Sequence, residues 1–411
     1  MKNIVILGAG TAGTTMASRL RRSLSEQDWS ITVVDRDNRH IYQPGLLFIP
    51  FGDYLEPELS RPRDSLLPTG VTFRQQTIDR VVAADNRVHL EGGDILPYDI
   101  LIIATGCRTV PEATEGLTGP GWNETAFDFY TVEGATALAG ALAKMDRGRL
   151  VIDIAAMPIK CPVAPLEFAF LADAYFNRRG VRDDIEIIYA TPLDAAFTKP
   201  IASRMLGDLL ECKGITLEPD FAASAVDGDK RVLESYDGRM LDYDLLVMVP
   251  LHFGAESIMR SELGDDMGFV PTDKHTLQSV AHENIFVLGD ATNLPTSKAG
   301  AVAHFQSEVL HDNIGHYIAG RPLDPAFDGH ANCFIETGYD KAMLIDFNYE
   351  TEPLPGSFPL PGLGPFSLLQ ESHVNHWGKL AFKWVYWNVL LSGTPMPLDH
   401  RMLMAGKWVS R

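Results

Sequence analysis

Cys161 and Glu167 stand six residues apart in the run Ala155-Ala156-Met157-Pro158-Ile159-Lys160-Cys161-Pro162-Val163-Ala164-Pro165-Leu166-Glu167, which follows the apolar stretch Leu150-Val151-Ile152-Asp153-Ile154. A thiol is a redox group and, once ionised, a nucleophile; a carboxylate close by can carry its proton. A carboxylate in the first turn of a helix also suits the helix dipole, so a purely structural Glu167 stays open at this point. The run from Ala155 to Glu167 contains no glycine. Side chains at every position block the close backbone approach that a pyrophosphate needs, so NAD(P)H is not expected there.

The opening of the chain has the opposite character. Asn3-Ile4-Val5-Ile6-Leu7 runs into Gly8-Ala9-Gly10-Thr11-Ala12-Gly13 and then into a helical pattern through Leu20. In a strand-turn-helix unit, Gly8 permits the tight turn, Gly10 lets the backbone approach a pyrophosphate, and Gly13 lets the helix sit close on the sheet. The helix N-terminus then presents free N–H groups to the phosphates. A second strand, Ser30 to Asp35, ends in an acid placed to accept from a ribose hydroxyl. The residues predicted to hold the dinucleotide are Gly8, Ala9, Gly10, Ala12, Gly13 and Asp35.

The remaining elements follow in order. Residues 38–47 read as a loop crossing the cofactor, and residues 71–96 as the antiparallel strands of a small meander. Tyr98 to Gly106 reads as another buried strand of the first sheet, ending in Ala104-Thr105-Gly106. Strand and helix patterns alternate from 150 to 250. Glu283 to Ala291 returns to the first sheet through a strand ending in Gly289-Asp290. Pro295-Thr296-Ser297-Lys298-Ala299-Gly300 then opens a long helix whose N-terminus suits developing negative charge.

The chain has 411 residues, 45% hydrophobic and 22% charged, with a net charge of −19. That describes a globular protein of more than one domain, and nothing resembles the basic stripe that nucleic acid requires. The first strand begins so early that no secretory leader is expected, and synthesis in the cytoplasm follows. No apolar run reaches the roughly 18 to 20 residues of a spanning helix. The four cysteines form no C-x-x-C and no zinc spacing, so no metal is expected; Cys107 and Cys212 read as structural.

The tail differs from the body. From His376 to Arg411 five Lys or Arg (379, 383, 401, 407, 411) stand against one acid, Asp399, a local +4. On a helical wheel over residues 366–392, Val374, Trp377, Leu380, Ala381, Trp384, Trp387 and Leu391 share one broad face, with Lys379 and Lys383 on another. An acidic body ending in a basic, Trp-rich amphipathic segment predicts a foot resting on a membrane surface. A helix packed on the core or on a second subunit is the alternative.

Nearly the whole chain resembles the sulfide:quinone oxidoreductases, a membrane-associated branch of the FAD disulfide reductases. Met157 through Glu167 is similar to that family's first redox-cysteine motif, and Pro295-Thr296-Ser297-Lys298 to its motif before the flavin helix. Phe327-Asp328-Gly329-His330-Ala331-Asn332-Cys333, then Phe347-Asn348-Tyr349 and Tyr386-Trp387, resembles its second redox cysteine and quinone-end tail. Two departures are visible: Phe127 to Thr131 lacks the third cysteine of some members, and Pro192 to Pro200 lacks a histidine that some carry.

The resemblance implies an α/β fold of two Rossmann-like dinucleotide-binding-type domains with a C-terminal amphipathic, membrane-associating segment. The expected boundaries are 1–113 and 274–345 for the FAD domain, 114–273 for the second domain and 346–411 for the tail. FAD would be held by the glycine turn and Asp35, by Ala104, Thr105 and Gly106, and by Gly289, Asp290, Lys298 and Gly300. Cys161 and Cys333 would form a disulfide that hydrosulfide opens at Cys161, with Cys333 leaving as a thiolate that passes electrons to the flavin. Lys160 would lower a thiol pKa, Glu167 would move the proton, and Phe334, Tyr386 and Trp387 would meet the quinone. Sulfide, a quinone, a membrane surface and a homo-oligomer are the implied partners. Two alternatives are an NAD(P)H-driven quinone or disulfide reductase and a sulfide dehydrogenase or sensor passing electrons to a cytochrome.

Overall fold

In the computed structural model, which describes residues 1–359, 364–396 and 398–408, two parallel five-stranded sheets carry the chain. Part of the Pro353–Pro365 link and Arg411 lie outside the described residues. The first sheet has the order Ile285–Val287, Ile100–Ile103, Lys2–Leu7, Trp29–Asp35, Val71–Gln75, every pair parallel. Ile4, Ile6, Leu7, Leu101, Ile102 and Ile103 are fully buried, as continuous apolar runs must be in a sheet covered on both faces. After Lys2–Leu7 the chain adds Trp29–Asp35 on one side and later Ile100–Ile103 on the other. That reversal opens a crevice at the carboxyl ends of the strands. The Gly8, Asp35, Ala104 and Gly289 turns all follow strands at this one edge.

Two glycines explain how closely the first helix, α1 (Thr11–Ser23), approaches. A Cβ on Gly13 would lie 1.9 Å from the Gly8 carbonyl oxygen, and Gly8 itself has φ 99° with Ala104 O 2.4 Å from where its Cβ would be. Gly10 is different: a Cβ there meets nothing within 4 Å. Its side of the turn is open.

The second sheet has the order Ala126–Phe127, Leu245–Val249, Gly148–Ile154, Ile185–Ala190, Ile215–Glu218, again parallel throughout. Helix α2 (Val132–Leu142) is capped by the Thr131 side chain, and α3 (Ala164–Arg179) starts just after Cys161 and stops at Gly180 in the left-handed region. Helix α4 (Pro200–Cys212) completes this part; α5 (Glu256–Arg260) packs on the Ile78–Val82 strand beside the first sheet, and α6 (Gly300–Ile318) returns to pack on α1. One apolar core runs through both sheets, from Ile4 to Ile152 and Phe168.

The tail adds an antiparallel hairpin, Ala331–Gly338 with Lys341–Phe347, laid on α3. Helix α7 (His373–Val385), capped by Ser372, crosses that hairpin and ends in a π turn at Tyr386–Leu390.

Four expectations change. Residues 38–47 are not a loop: Arg39–Ile41 is a strand and Gln43–Phe51 a 3-10 helix, buried from Gly45 to Phe51. Val71–Gln75 is the parallel edge strand of the first sheet, and only Ile78–Val82, Arg87–Leu90 and Ile95–Pro97 form the meander. Cys212 is exposed at the end of α4 rather than part of a core. The wheel's single apolar face is split as well: Trp377 and Trp384 are 63% and 65% exposed, whereas Trp387 and Leu391 are 6% and 1%. The π turn causes the split, because its wider hydrogen-bonding span rotates the residues beyond it off the α-helical face. Lys379 and Lys383, not Trp377 and Trp384, face inward.

Candidate redox site

Cys161 sits in a left-handed conformation, φ 46°, at the turn between the Gly148–Ile154 strand and α3. Its N–H donates to the Lys298 carbonyl at 2.7 Å, and its own carbonyl accepts from Ala164 at 2.8 Å. Tyr130 Oη donates to the Lys160 carbonyl at 2.9 Å. The glycine-free turn is thus bound to the segment leading into α6. Cys333, opposite Ile345 in the tail hairpin, packs like Cys161 against the shared core. Both are free thiols, and charge on Cys333 raises the cost of ionising Cys161.

Burial pushes both thiols up, Cys333 to about 12, and the Glu167 carboxylate adds to the rise. The expected low thiol pKa from Lys160 is therefore corrected: the Lys160 ammonium lies 5.9 Å over the Tyr130 ring, and the cation that favours both thiolates is Lys379. Desolvation outweighs a single ammonium here.

Glu167 is 1% exposed in the first turns of α3. Its Oε1 accepts from the Glu336 N–H at 2.7 Å and from the Lys379 ammonium, which also donates to the Phe334 carbonyl at 3.0 Å. Burial pushes the Glu167 carboxyl up and the Lys379 charge pulls it back; Lys379 stays protonated despite its own burial because Glu167 and Glu336 flank it. Lys379 was missed as a site residue by sequence reasoning. It lies 212 residues from Glu167, and only its place on the polar side of an amphipathic helix set it apart.

The carboxyl edge of the first sheet suits a dinucleotide. Helices α1 and α6 begin without side-chain caps, so their first N–H groups are free for a ligand. A Cβ on Gly300, like one on Gly10, meets nothing within 4 Å, and Thr105 Oγ1 is buried without a partner. Gly106 and Gly289 take positive φ, 67° and 70°. Asp290 is half-buried at the turn, its carboxyl pushed up by desolvation against the charges of Lys298 and Lys160. Lys298 spends its ammonium on the carbonyls of Asp290 at 3.0 Å and Thr292 at 2.7 Å, so its side chain braces this turn from within. Asp35 Oδ2 accepts from the Ala9 N–H at 2.7 Å and pairs with Arg63 at 3.1 Å, while Oδ1, which accepts from the Arg36 N–H at 2.8 Å, retains a further lone pair.

Of the three aromatic residues expected at a quinone, Tyr386 and Trp387 pack on each other, ring centroids 5.2 Å apart. Phe334 packs on Phe366, ring centroids 5.2 Å apart, beside Gly378 of α7. Tyr386 is buried with its hydroxyl bound to Thr11 Oγ1 and His40 Nε2, each at 2.7 Å, and its ring lies 4.9 Å from Tyr42. Trp387 stacks under the Arg61 guanidinium at 4.5 Å. Tyr386, through Thr11 and through His40 to the Ala9 carbonyl, fastens the tail to the first glycine turn.

A dinucleotide crevice on one parallel sheet, joined to a second sheet whose turn carries a cysteine where glycines would bind nucleotide, defines a redox flavoprotein of the disulfide reductase class. The pyridine nucleotide-disulphide oxidoreductase family model matches residues 2–306, and the chain belongs to that family. FAD is its cofactor, and the protein is a flavin-dependent oxidoreductase. The chain is similar to the mitochondrial sulfide:quinone oxidoreductases of Mus musculus and Dictyostelium discoideum, 28% identical to each over 95% of this chain and 86% of the relative. Its fold is that of the sulfide:quinone oxidoreductase from Aquifex aeolicus, with a TM-score of 0.81 and 20% identity over 96% of this chain and 92% of the other.

Proposed function

We propose that this protein oxidises sulfide and delivers two electrons, through a Cys161–Cys333 disulfide and FAD, to a membrane quinone. The observation that carries the reading is that Cys161, Cys333 and the buried Glu167 lie near enough for their charges to act on one another. The curated relatives add weight by their similarity over almost the whole chain. In the oxidised enzyme, hydrosulfide attacks the Cys161 sulfur: a new S–S bond forms there, the Cys161–Cys333 bond breaks, and Cys333 leaves as a thiolate holding the electron pair. The bound flavin supplies the two-electron acceptor and the exit to quinone. Lys379 offsets the negative charge that develops on either sulfur, and Glu167 takes up the proton of the persulfide. Repetition lengthens the sulfur chain toward polysulfide. An NADH-driven reaction is disfavoured because the second turn has no glycine and its Cys161 N–H is spent on the Lys298 carbonyl.

Anaerobic titration of the yellow protein with sulfide, followed by decylubiquinone, tests this directly. Sulfide is expected to bleach the flavin and the quinone to restore it; a flavin that stays oxidised under excess sulfide ends the reading.

Peripheral attachment at the cytoplasmic membrane belongs to the same proposal. Among the described residues no helix is long and apolar enough to cross a bilayer. Val374, Trp377, Leu380 and Trp384 instead form an exposed apolar face on α7, with Trp408 67% exposed nearby in sequence. Burying a large apolar side chain yields about 1.5–3 kcal/mol. The double variant Trp377→Gln/Trp384→Gln should therefore lose at least about tenfold in liposome co-sedimentation. Unchanged sedimentation would show that this face is not the contact.

A further inference from the structure

The basic tail spends its charge on the body of the protein. Lys379 reaches in to Glu167 and the Phe334 carbonyl, and Lys383 pairs with Glu58 at 3.9 Å. His376, one turn before Lys379, binds the buried Glu336 carboxylate through Nδ1 at 2.9 Å. Further on, Lys407, its side chain 1% exposed, closes on the buried Asp346 carboxylate of the tail hairpin at 2.5 Å. Arg401 Nε donates to the Ala326 carbonyl at 3.2 Å.

The outer side of α7 is uncharged. Val374, Trp377, Leu380, Ala381 and Trp384 recur along it every three or four residues. Among the described residues of α7, His373 is the one exposed titratable group, and its Nδ1 is taken up by the Asp340 carbonyl at 2.7 Å. A second exposed apolar set, Leu403, Met404 and Trp408, belongs to the segment whose Lys407 side chain is buried. Backbone pairing ties that segment to Gly356–Phe358, and that strand in turn to Phe366–Leu368, whose Phe366 ring packs on Gly378 of α7.

We propose that the partner of this face is a lipid surface without net charge: tryptophan and aliphatic side chains make the contact, and the tail's cations hold the tail on the body. This rests on the membrane attachment proposed above and adds which lipid that attachment selects. Tryptophan settles at the headgroup level of any bilayer, whereas anionic lipid is recognised by free lysine and arginine, each worth about fivefold in partitioning. A foot that read anionic headgroups would have to turn Lys379 and Lys383 outward, and the buried Glu167 would lose its cation. The net charge of −19 adds repulsion from a negative bilayer.

Co-sedimentation of the full chain with extruded vesicles tests this, using phosphatidylcholine alone and an equimolar mixture with phosphatidylglycerol, each at low and high salt. Partitioning onto phosphatidylcholine is expected to be at least as strong as onto the mixture, and not to fall as salt rises. Lys383→Gln removes a cation that faces Glu58 and Tyr54, so it should leave partitioning onto both vesicles unchanged. Trp377→Gln/Trp384→Gln should lose at least about tenfold on both compositions alike. The bound-flavin spectrum checks folding in each variant. Stronger partitioning onto the mixture that salt abolishes overturns the proposal and leaves membrane attachment standing. A loss confined to the mixture in Lys383→Gln overturns it as well. A wild type that sediments with neither vesicle ends the attachment reading, and the lipid preference with it.

Discussion

Cys161→Ser and Cys333→Ser each lower sulfide-dependent flavin bleaching at least about 10³-fold while FAD remains bound, the loss expected when a covalent centre is removed. Serine preserves the volume and hydrogen-bonding character of either site but cannot form the disulfide that accepts sulfide sulfur. FAD retention follows from where the residues lie. Cys161 is in the turn of the second sheet and Cys333 in the tail hairpin, whereas the crevice is built by the Gly8, Ala104 and Gly289 turns of the first. Rapid mixing with sulfide, with bound-flavin absorbance as the control, reads both halves of the prediction. Full activity in either variant would exclude the disulfide. Cys212→Ser, at an exposed position on α4, should behave as wild type.

Lys379→Met is expected to be the most destabilising single change in this region. It leaves the Glu167 carboxylate buried without its cation, a situation that costs about 3–5 kcal/mol when one partner of a buried pair is removed. The direction with pH follows from the carboxyl itself. Burial already pushes Glu167 above its ordinary 4.5, and loss of Lys379 pushes it further. The folded variant then holds a proton that the unfolded chain gives up, so its stability relative to wild type falls as pH rises above about 4.5 and recovers below it. Urea unfolding midpoints across pH measure this. The double variant Glu167→Gln/Lys379→Met removes both charges and should regain most of the loss. A double variant no more stable than Lys379→Met would show that packing, not the unpaired charge, dominates.

The same ion pair explains the orientation of α7. Its apolar residues are legible as one stripe, and a stripe ordinarily faces a core. Here the adjoining interior holds the carboxylates Glu167 and Glu336, and buried charge is tolerated only when paired. Lys379 supplies that charge from the polar side of the helix, and Lys383 follows it inward to lie 4.0 Å over the Tyr54 ring. The tryptophans turn outward as a consequence.

The sequence by itself determined the glycine turn at Gly8 to Gly13, the strands that enter it and end at Asp35, and the returning strand at Gly289-Asp290. It also placed Cys161 in a second turn that has no glycine. These are local properties: backbone angles, close approaches and runs of buried residues are written in consecutive positions. Only the tertiary structure decided that Lys379 reaches Glu167, that His376 closes on Glu336, that Val71–Gln75 joins the first sheet and that Tyr386 fastens the tail to Thr11 and His40. Those contacts join residues far apart in the chain, and what selects them is the need to pair charge and fill space inside a packed core, which no spacing along the sequence records.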